Sequence, residues 1–371
     1  MPDADAARPT RVEEKERHAW IGLHALPGMG PKRLRQLRDR SGSWHEALLA
    51  LPRLGRELEP RWTGSTDVEG ILRLGAEQEA RGKAPGAFFL APEDAAYPRA
   101  FRDLEEPPPL LHLLGDPQAL GPGLAGVDTR VSVIGARGCT PYGRSQACRF
   151  AKHLAWRRTT VVSGAARGID LTALEAAATE GGRTLAVLGS GLDHPYPAEA
   201  VPVLEAAMEQ GGAVLSEFPF GVGPRPGHFP RRNRLIAALG AATLVVQATR
   251  KSGTMNTVAW CLDLGREVYA LPGPVDDHAC SGTNQLLSEG ALVALSPADM
   301  LADIQRRQVE AAAGPGPALL ASLAAADRTL EELVGRDLAG REEVRARLLE
   351  LELQGLVVRL ADGRYHRTGP S

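Results

Sequence analysis

Residues 160–188, TVVSGAARGIDLTALEAAATEGGRTLAVL, decide the fold. A short β-branched run leads through a loop into a helix-length amphipathic stretch, and a second apolar run follows. The same alternation fills residues 130–300 and predicts a buried parallel sheet with helices on both faces, a doubly wound, Rossmann-like α/β fold. The predicted strands are VSVIG (131–135), TVVS (160–163), TLAVL (184–188), AVLS (213–216), TLVVQ (243–247), EVYAL (267–271) and ALVAL (291–295).

Composition breaks divide the rest of the chain. We predict an N-terminal helical domain at 1–87, an irregular proline-rich lead-in at 88–129, the Rossmann-like domain at 130–305, a linker at 306–318 and a winged-helix-like domain at 319–371. In the last of these, two helices precede a short hairpin at Asp362-Gly363. Its nearly balanced charge favours a protein-interaction or weak DNA-binding role over reading of a DNA groove.

The N-terminal segment contains the turn LPGMGP (26–31), followed by Lys32, Arg33 and Arg35. It resembles a helix-hairpin-helix or SAM-like unit, in which a glycine turn directs backbone N–H groups at a phosphate. The alternative is a plain packing unit whose glycines only form the turn. The sequence leaves both interpretations open.

Overall composition sets broad limits. The 371 residues carry a formal net charge of −2, with 43% hydrophobic and 24% charged residues, so we expect several folded domains. The cysteines Cys139, Cys148, Cys261 and Cys280 have no CxxC spacing and suit neither a zinc site nor a disulfide framework. Without a signal-peptide core or a long apolar run, the chain is expected to be cytoplasmic, with no membrane segment, metal or cofactor.

The loops that follow the predicted strands are rich in small, polar and cationic residues. Ligands of open α/β sheets bind outside the carboxyl ends of the strands, so these loops should form one site. They are GAR (135–137), SGAARGID (163–170), GSGLD (189–193), EFP (217–219) and KSGT (251–254). This pattern is typical of an anion site. Neither GxGxxG after the first strand nor GxxxxGK[ST] occurs, which excludes a dinucleotide-binding fold and a P-loop enzyme.

The segment FPRRNRLIA (229–237) carries three arginines at a predicted helix start near Arg231. Cations there oppose the positive end of the helix dipole, a conflict that a bound anion would resolve. An ion-pair network with Glu217 or Asp170 is the alternative. Three arginines exceed the needs of one small phosphate, so we expect a nucleic-acid backbone, and nearby aromatic residues favour a single strand. These aromatic residues are His228, Phe229, Phe218, Phe220 and Tyr142.

These motifs together resemble the DNA-processing protein A (DprA/Smf) family. The match covers essentially all of 130–296, and residues 88–115 resemble the family's lead-in. The motifs that carry it are GAR (135–137), SGAARGIDLTALEAA (163–177), AVLGSGLDHPYP (186–197), LSEFP (215–219), PRPGHFPRRNRLIA (224–237), SGTMNT (252–257) and GREVYALPG (265–273). Ala136, Gln247 and residues 255–258 depart from the family's usual Ser, Glu and Leu-Ile-Thr-Ala.

The resemblance implies a homodimeric protein of natural transformation that binds single-stranded DNA. It also implies that the protein works with DNA coated by single-strand-binding protein and loads the RecA recombinase. By motif position, Arg137, Gly164, Arg167, Arg231, Arg234 and Ser252-Gly253 would line the DNA pocket. With the residue-based reasoning, the predicted DNA-binding set is Arg137, Ser163, Gly164, Arg167, Gly168, Phe229, Arg231, Arg232, Asn233, Arg234, Lys251, Ser252, Gly253 and Thr254.

The alternative function is a nucleoside-monophosphate phosphoribohydrolase of the same fold. Its signature is a GTxxE motif whose acid helps cleave the glycosidic bond, whereas here Gly253-Thr254-Met255-Asn256 is followed by Thr257. Asp170 has no partner acid, metal or activated nucleophile in the pattern, so we expect it to order its loop. We predict a binding protein, not an enzyme. An adaptor without nucleic acid would leave the arginine turn unexplained.

Overall fold

The computed structural model describes residues 11–58, 64–82, 86–121, 130–313, 316–334, 340–353 and 355–368. Within these ranges, no helix has both the length and the apolar character of a membrane span. The chain divides into two compact units, Met1–Met300 and Leu301–Ser371.

Four helices form the N-terminal part of the first unit: α1 (Arg11–Ala25), α2 (Pro31–Ser41), α3 (Trp44–Leu58) and α4 (Val68–Arg81). The α1–α2 turn depends on Gly28, whose φ of 79° lies in the left-handed region that favours glycine. Pro31 then occupies the first turn of α2, where its missing N–H costs nothing. Leu23, Leu34 and Leu48 are fully buried in the core between the helices. The described residues between 11 and 81 are therefore mainly helical, and the separate N-terminal domain at 1–87 stays a prediction.

A nine-stranded sheet forms the centre of the first unit, in the order β1-β2-β6-β5-β4-β3-β7-β8-β9. The seven predicted strands are all present, and neighbouring pairs among them are parallel. Most of their side chains are buried, as expected for strands covered on both faces. Their bounds are β3 (Arg130–Ile134), β4 (Thr160–Ser163), β5 (Thr184–Val187), β6 (Ala213–Ser216), β7 (Ala242–Val245), β8 (Glu267–Ala270) and β9 (Leu292–Val293).

The lead-in predicted as irregular contains the two remaining strands, β1 (Ala87–Leu90) and β2 (Leu111–Gly115). They pair antiparallel with each other, and β2 pairs antiparallel with β6. The sheet is therefore mixed instead of purely parallel. Helix α5 (Arg99–Arg102) and a 3₁₀ turn (Pro117–Leu120) accompany these strands. Leu111 and Leu113 are fully buried in the main core, which explains why this proline-rich segment is ordered.

Helices connect the parallel strands and cover the sheet. Those up to the end of the sheet are α6 (Pro141–Trp156), α7 (Ile169–Thr179), α8 (Val201–Glu209), α9 (His228–Leu239), α10 (Thr254–Asp263) and α11 (Ser281–Ser288). Central β3 has β4 on one side and β7 on the other. The connections leave β3 in opposite directions, which opens a crevice at the carboxyl ends of these strands.

The described part of the second unit contains most of α12 (Pro297–Ala313), three further helices and a hairpin: α13 (Gly316–Ala325), α14 (Leu330–Val334), α15 (Arg341–Leu353), β10 (Val357–Arg359) and β11 (Tyr365–Arg367). Their core includes Leu319, Leu333, Leu348 and Tyr365. Helix α12 (Pro297–Ala313) runs through much of the predicted linker, which is therefore largely helical. The winged-helix assignment stays a prediction.

Two buried histidines lie where α1 meets the sheet. His24 is in the last turn of α1 and His112 is in β2, with ring centroids 5.6 Å apart. His112 also packs against the rings of Phe89 and Phe220. Among the described residues, neither ring nitrogen of His112 has a hydrogen-bond partner, and the Nδ1 atom of His24 has none. Both rings are therefore stable only in the neutral form.

Acidification is expected to destabilise the protein through these histidines. Burial lowers the pKa of His24 to about 4, with Arg231 acting in the same direction, and burial holds the pKa of His112 well below its ordinary value. Between about pH 6.5 and pH 4 the unfolded chain binds more protons than the folded chain. The free energy of unfolding should therefore fall as the pH drops through this window, by up to about 1.4 kcal/mol per pH unit for each histidine.

Urea unfolding at several pH values measures this effect. His112→Phe keeps a ring between Phe89 and Phe220 and should flatten the pH dependence. His278→Gln, at an exposed position, should leave it unchanged. A pH profile that is identical in His112→Phe and the wild type would contradict the assignment.

Candidate nucleic-acid interface

A cleft of about 800 Å³ lies at the carboxyl ends of the central strands. Four segments line it: the loop after β3, the start of α7 with the loop before it, α9 with the loop before it, and the start of α10 with the loop before it. Tyr196, from the loop after β5, completes the lining. The lining residues are Ile134, Gly135, Ala136, Arg137, Gly138, Ala166, Asp170, Tyr196, Pro224, Arg225, Pro226, Phe229, Pro230, Arg232, Asn233, Ile236, Thr249, Ser252, Gly253, Thr254, Asn256 and Thr257. The volume falls within the range of about 300–1,000 Å³ for small-molecule pockets, so chemistry and not size must identify the ligand.

Three helices begin at this cleft: α7, α9 and α10. A helix N-terminus carries unpaired N–H groups and the positive end of the helix dipole, and both attract anions. The α10 end is ordered by Ser252, whose Oγ atom accepts a hydrogen bond from the Thr254 backbone N–H at 3.1 Å. The helix ends therefore give the cleft a positive field even before its charged side chains are counted.

Arg232 and Asp170 form the floor of the cleft. Arg232 is 3% exposed, and its guanidinium donates hydrogen bonds to the carbonyl oxygens of Gly164, at 2.6 Å, and Val187. Asp170 accepts hydrogen bonds from backbone N–H groups, including that of Gly164 at 3.2 Å. A Cβ atom on Gly164 would lie 2.7 Å from Asp170 Oδ2 and 2.8 Å from Arg232 Nη2, so glycine is required here. Asp170 orders its loop, as the sequence suggested.

Burial dominates the ionisation of both groups. It raises the pKa of Asp170 to about 6, and the Arg232 charge and the backbone N–H groups oppose the rise. Burial also lowers the pKa of Arg232 to about 10, with Asp170 opposing this and Arg137 adding to it. Arg232 keeps its charge at neutral pH, and because its side chain lies in the floor of the cleft, it contributes positive charge to the lining.

Arg231 and Arg234 point away from the cleft. Both bind Glu217, whose side chain is fully buried, with N–O distances of 2.7 Å for each arginine. Arg234 also donates to the Glu106 carbonyl oxygen at 3.1 Å, and 6% of its side chain is exposed. Arg231 and Arg234 therefore form the ion pairs with Glu217 that the sequence suggested as the alternative to phosphate binding. Phosphate binding by them, which the sequence predicted, would have to compete with this carboxylate.

The start of α9 lies earlier than predicted, at His228 and not near Arg231. Arg231 is therefore in the second turn, where the helix dipole no longer penalises a cation strongly. Pro230 remains compatible because its position is still within the first turn, whose N–H groups have no partner inside the helix. The dipole argument for a phosphate at the three arginines is thereby weakened.

The exposed cations of the cleft are Arg137 and Arg225. Within the described part of the chain, no carboxylate lies within 4.0 Å of either guanidinium. The Arg137 guanidinium lies 5.3 Å from the centroid of the Phe229 ring, and the Tyr196 and Phe229 rings are 5.9 Å apart. A cation beside two accessible aromatic rings is suited to phosphate and base contacts along one strand.

The cleft unites seven of the predicted residues: Arg137, Phe229, Arg232, Asn233, Ser252, Gly253 and Thr254. Ser163 and Gly164 are buried supports below it, since Ser163 Oγ donates to the Val133 carbonyl oxygen at 2.6 Å. Gly168 has a φ of 81° and a backbone that closely approaches Ala136 and Arg137.

Arg167 is exposed and bound to Glu199 at 2.8 Å, and Lys251 is exposed beside the α10 start. The aromatic residues other than Phe229 are placed differently from the prediction. Phe218 and Phe220 are buried, and Tyr142 lines a separate surface pocket with Pro272 and Asp277. His228 stacks on Phe218 at 4.2 Å between centroids.

Among the polar and aromatic side chains of the cleft, sequence reasoning missed Arg225, Tyr196, Thr249 and Asn256. Arg225 and Asn256 lie in the motifs PRPGHFP and SGTMNT, so their type and position gave a usable signal. Asn233 Nδ2 donates to Asn256 Oδ1 at 3.2 Å, which links α9 to α10 across the cleft. Tyr196 lies in the motif AVLGSGLDHPYP (186–197), but its place in the cleft, like that of Thr249, follows only from the folded strand order.

Known proteins share much of this sequence. The model of a family described as "DNA recombination-mediator protein A" matches residues 88–305. The curated Protein Smf of Escherichia coli K12 is 35% identical over 296 residues, which cover 75% of this chain and 77% of that protein. The chain belongs to the DNA recombination-mediator protein A family.

Solved structures of the family have the same fold. DNA processing protein A from Streptococcus pneumoniae has a TM-score of 0.56 at 28% identity, covering 73% of this chain and 97% of that structure. The Helicobacter pylori protein has a TM-score of 0.52 at 30% identity, covering 59% of this chain and 96% of that structure. The study of the latter concerns its single-stranded DNA binding mode. The resemblance found in the sequence is thus confirmed, and with it the α/β fold class.

Proposed function

We propose that this chain binds single-stranded DNA in the cleft at the carboxyl ends of the central strands. The observation that carries the proposal is the balance of charge in the lining: Arg137, Arg225 and Arg232 face one acid, the buried Asp170. Three helix N-termini add to the same positive field. The accessible rings of Phe229 and Tyr196 supply stacking surfaces that a duplex, with its bases paired inside, would not use.

Membership in a recombination-mediator family supports a role beyond binding. In this proposal a homodimer receives incoming single strands, acts on DNA coated by single-strand-binding protein and loads the RecA recombinase during natural transformation. The names of the relatives, which include DNA processing protein DprA of Bacillus subtilis and of Streptococcus pneumoniae, fit such a cytoplasmic role. An open cleft that holds phosphates without enclosing the strand suits a protein that must hand its DNA on.

Strand preference is the direct test of the proposal. Affinities for an oligonucleotide of about 30 nucleotides and for its duplex are compared at one salt concentration, because affinity for DNA depends steeply on salt. We expect tighter binding of the single strand. The slope of log K against log salt should be about −0.7 for each phosphate engaged. Equal or tighter duplex binding would contradict the proposal.

The cleft also contains the one feature that favours an enzyme, the buried carboxyl of Asp170 with its raised pKa. Its hydrogen bonds to backbone N–H groups hold it in the floor, and Thr257 stands where a phosphoribohydrolase would have its acid. We expect the purified protein to release no base from AMP or other nucleoside monophosphates and to cut no single strand, with or without magnesium. Turnover that is lost in Asp170→Asn would show an enzyme instead.

A further inference from the structure

A second groove, of about 430 Å³, lies between the N-terminal helices and the lead-in. Its residues come from α1, α2 and the start of α3 on one side and from 92–109 on the other. They are Trp20, Pro31, Arg35, Arg38, Asp39, Trp44, Pro92, Glu93, Arg102, Leu104, Pro107 and Pro109. None of them lines the cleft described above.

Two tryptophans form the aromatic part of this groove. Trp20 and Trp44 are half-buried, with ring centroids 6.3 Å apart and planes inclined by 28°. The Arg38 guanidinium lies 5.6 Å from the Trp44 centroid, and Trp20 Nε1 donates to the Pro109 carbonyl oxygen at 3.1 Å. Both rings are thus held in place while they line an open groove.

The arginines of the groove are held by backbone carbonyl groups and not by carboxylates. Arg35 Nη2 donates a hydrogen bond to the carbonyl oxygen of Glu105 at 3.0 Å, and Arg102 Nε donates one to the carbonyl oxygen of Pro92 at 2.9 Å. Arg38 donates to the carbonyl oxygen of Gly42. Among the described residues, no carboxylate lies within 4.0 Å of these three guanidinium groups. Their positive charges are fixed in position and available to a ligand.

Helix α2 concentrates positive charge beside the groove. Its eleven residues, PKRLRQLRDRS, contain five cations and one acid, in a chain with a net charge of −2. Asp39 and Glu93 also line the groove, but both are exposed. The surface complements a polyanion with flat, stackable groups.

We propose that this groove binds a second segment of the same single-stranded DNA, with bases on Trp44 and Trp20 and phosphates on Arg35 and Arg38. The proposal rests on the proposed function of the cleft and extends it, because a long strand would occupy both sites. Base stacking on an aromatic side chain is worth about 1–3 kcal/mol and tolerates any sequence. An acidic, proline-containing peptide is the competing occupant. Prolines also pack on tryptophan rings, so it is the five cations of α2 that favour nucleotides, whose backbone carries a negative charge at every residue, over a peptide whose prolines are neutral.

Strand length distinguishes this site from the cleft. A strand of about 6 nucleotides has room for one site only, whereas one of about 30 nucleotides can reach both. In the full chain, Arg35→Ala/Arg38→Ala should weaken binding of the long strand about tenfold and reduce its salt slope by about 1.4, which corresponds to two phosphates. Binding of the short strand should change less than twofold. The control, Arg53→Ala/Arg56→Ala, removes two exposed cations from α3 and should change neither.

Tryptophan fluorescence reports the same site independently. The long strand should quench the wild-type protein more than the Trp44→Phe variant, with equal urea midpoints showing that both are folded. Unchanged long-strand affinity in Arg35→Ala/Arg38→Ala would overturn the groove proposal, as would an equal loss for both lengths. Quenching by an acidic proline-containing peptide, but not by DNA, would also overturn it. Failure of the wild type to bind either strand would instead overturn the proposed function of the cleft.

Discussion

Arg234→Met is expected to lower the free energy of unfolding by about 1.5–3 kcal/mol while leaving the affinity for single-stranded DNA within about twofold. The substitution keeps an unbranched side chain of similar reach but removes the more buried of the two guanidinium groups that bind Glu217. The Glu217 side chain has no exposed surface, so its carboxylate cannot turn to water for compensation. Arg231 still binds Oε2, but Oε1 loses its guanidinium partner in a medium that solvates it poorly, which is the source of the cost.

Arg167→Met is the matched control for this result. Arg167 also pairs with a glutamate at 2.8 Å, but both side chains are more than half exposed. An exposed pair of this kind contributes about 0–1 kcal/mol. Urea unfolding and DNA titration of the two variants separate the roles. If Arg234→Met loses DNA binding and keeps its stability, Arg234 belongs to the DNA surface as the sequence predicted.

The second large effect is expected at the exposed cations of the cleft. Arg137→Ala/Arg225→Ala should weaken single-stranded DNA binding by about a hundredfold or more at low salt. Each charge-assisted hydrogen bond contributes about 1.5–3 kcal/mol, and two are removed. The salt slope should become shallower by about 1.4. Neither residue has a carboxylate partner among the described residues, so the urea midpoint should hardly move.

Arg149→Ala/Lys152→Ala removes the same charge from α6, outside the cleft lining. This control should lose less than threefold in affinity, through the general field alone. An equal loss in both double variants would mean that DNA responds to net charge and not to the cleft. Comparing the two double variants therefore tests where the DNA binds and not merely whether positive charge attracts it.

Much of the fold could be predicted because its signal is local. A buried parallel strand needs a short β-branched run, and each such run from 131 onward became a strand. β1 and β2 escaped prediction because they are stabilised by pairing with each other and, in the case of β2, with β6, about a hundred residues further along the chain. Their surrounding prolines suggested irregular structure, and only burial of Leu111 and Leu113 in the sheet core outweighs that local signal.

The candidate site was predictable in type but not in detail. Helix starts and strand ends predicted which loops meet at one cleft, because α/β topology brings them to one edge. The direction of each arginine on α9 could not be read from the sequence. Neighbouring positions on a helix face different sides. The helix begins at His228, three residues before the predicted start, and in it Arg231 and Arg234 face Glu217. Arg225 lies in the irregular segment before the helix, so helical periodicity could not indicate its position, and only the motif PRPGHFP pointed to it.

The antiparallel strand β2 has a practical consequence for dissecting the chain. A fragment that begins at residue 130 would retain every residue of the cleft, yet it would leave β6 as an edge strand with a row of unpaired N–H and C=O groups. It would also uncover the apolar surface that Leu111 and Leu113 now occupy. Such an edge is a template for pairing with other chains, so the shortened protein should self-associate and precipitate. The smallest soluble fragment with an intact cleft must therefore reach back at least to β2.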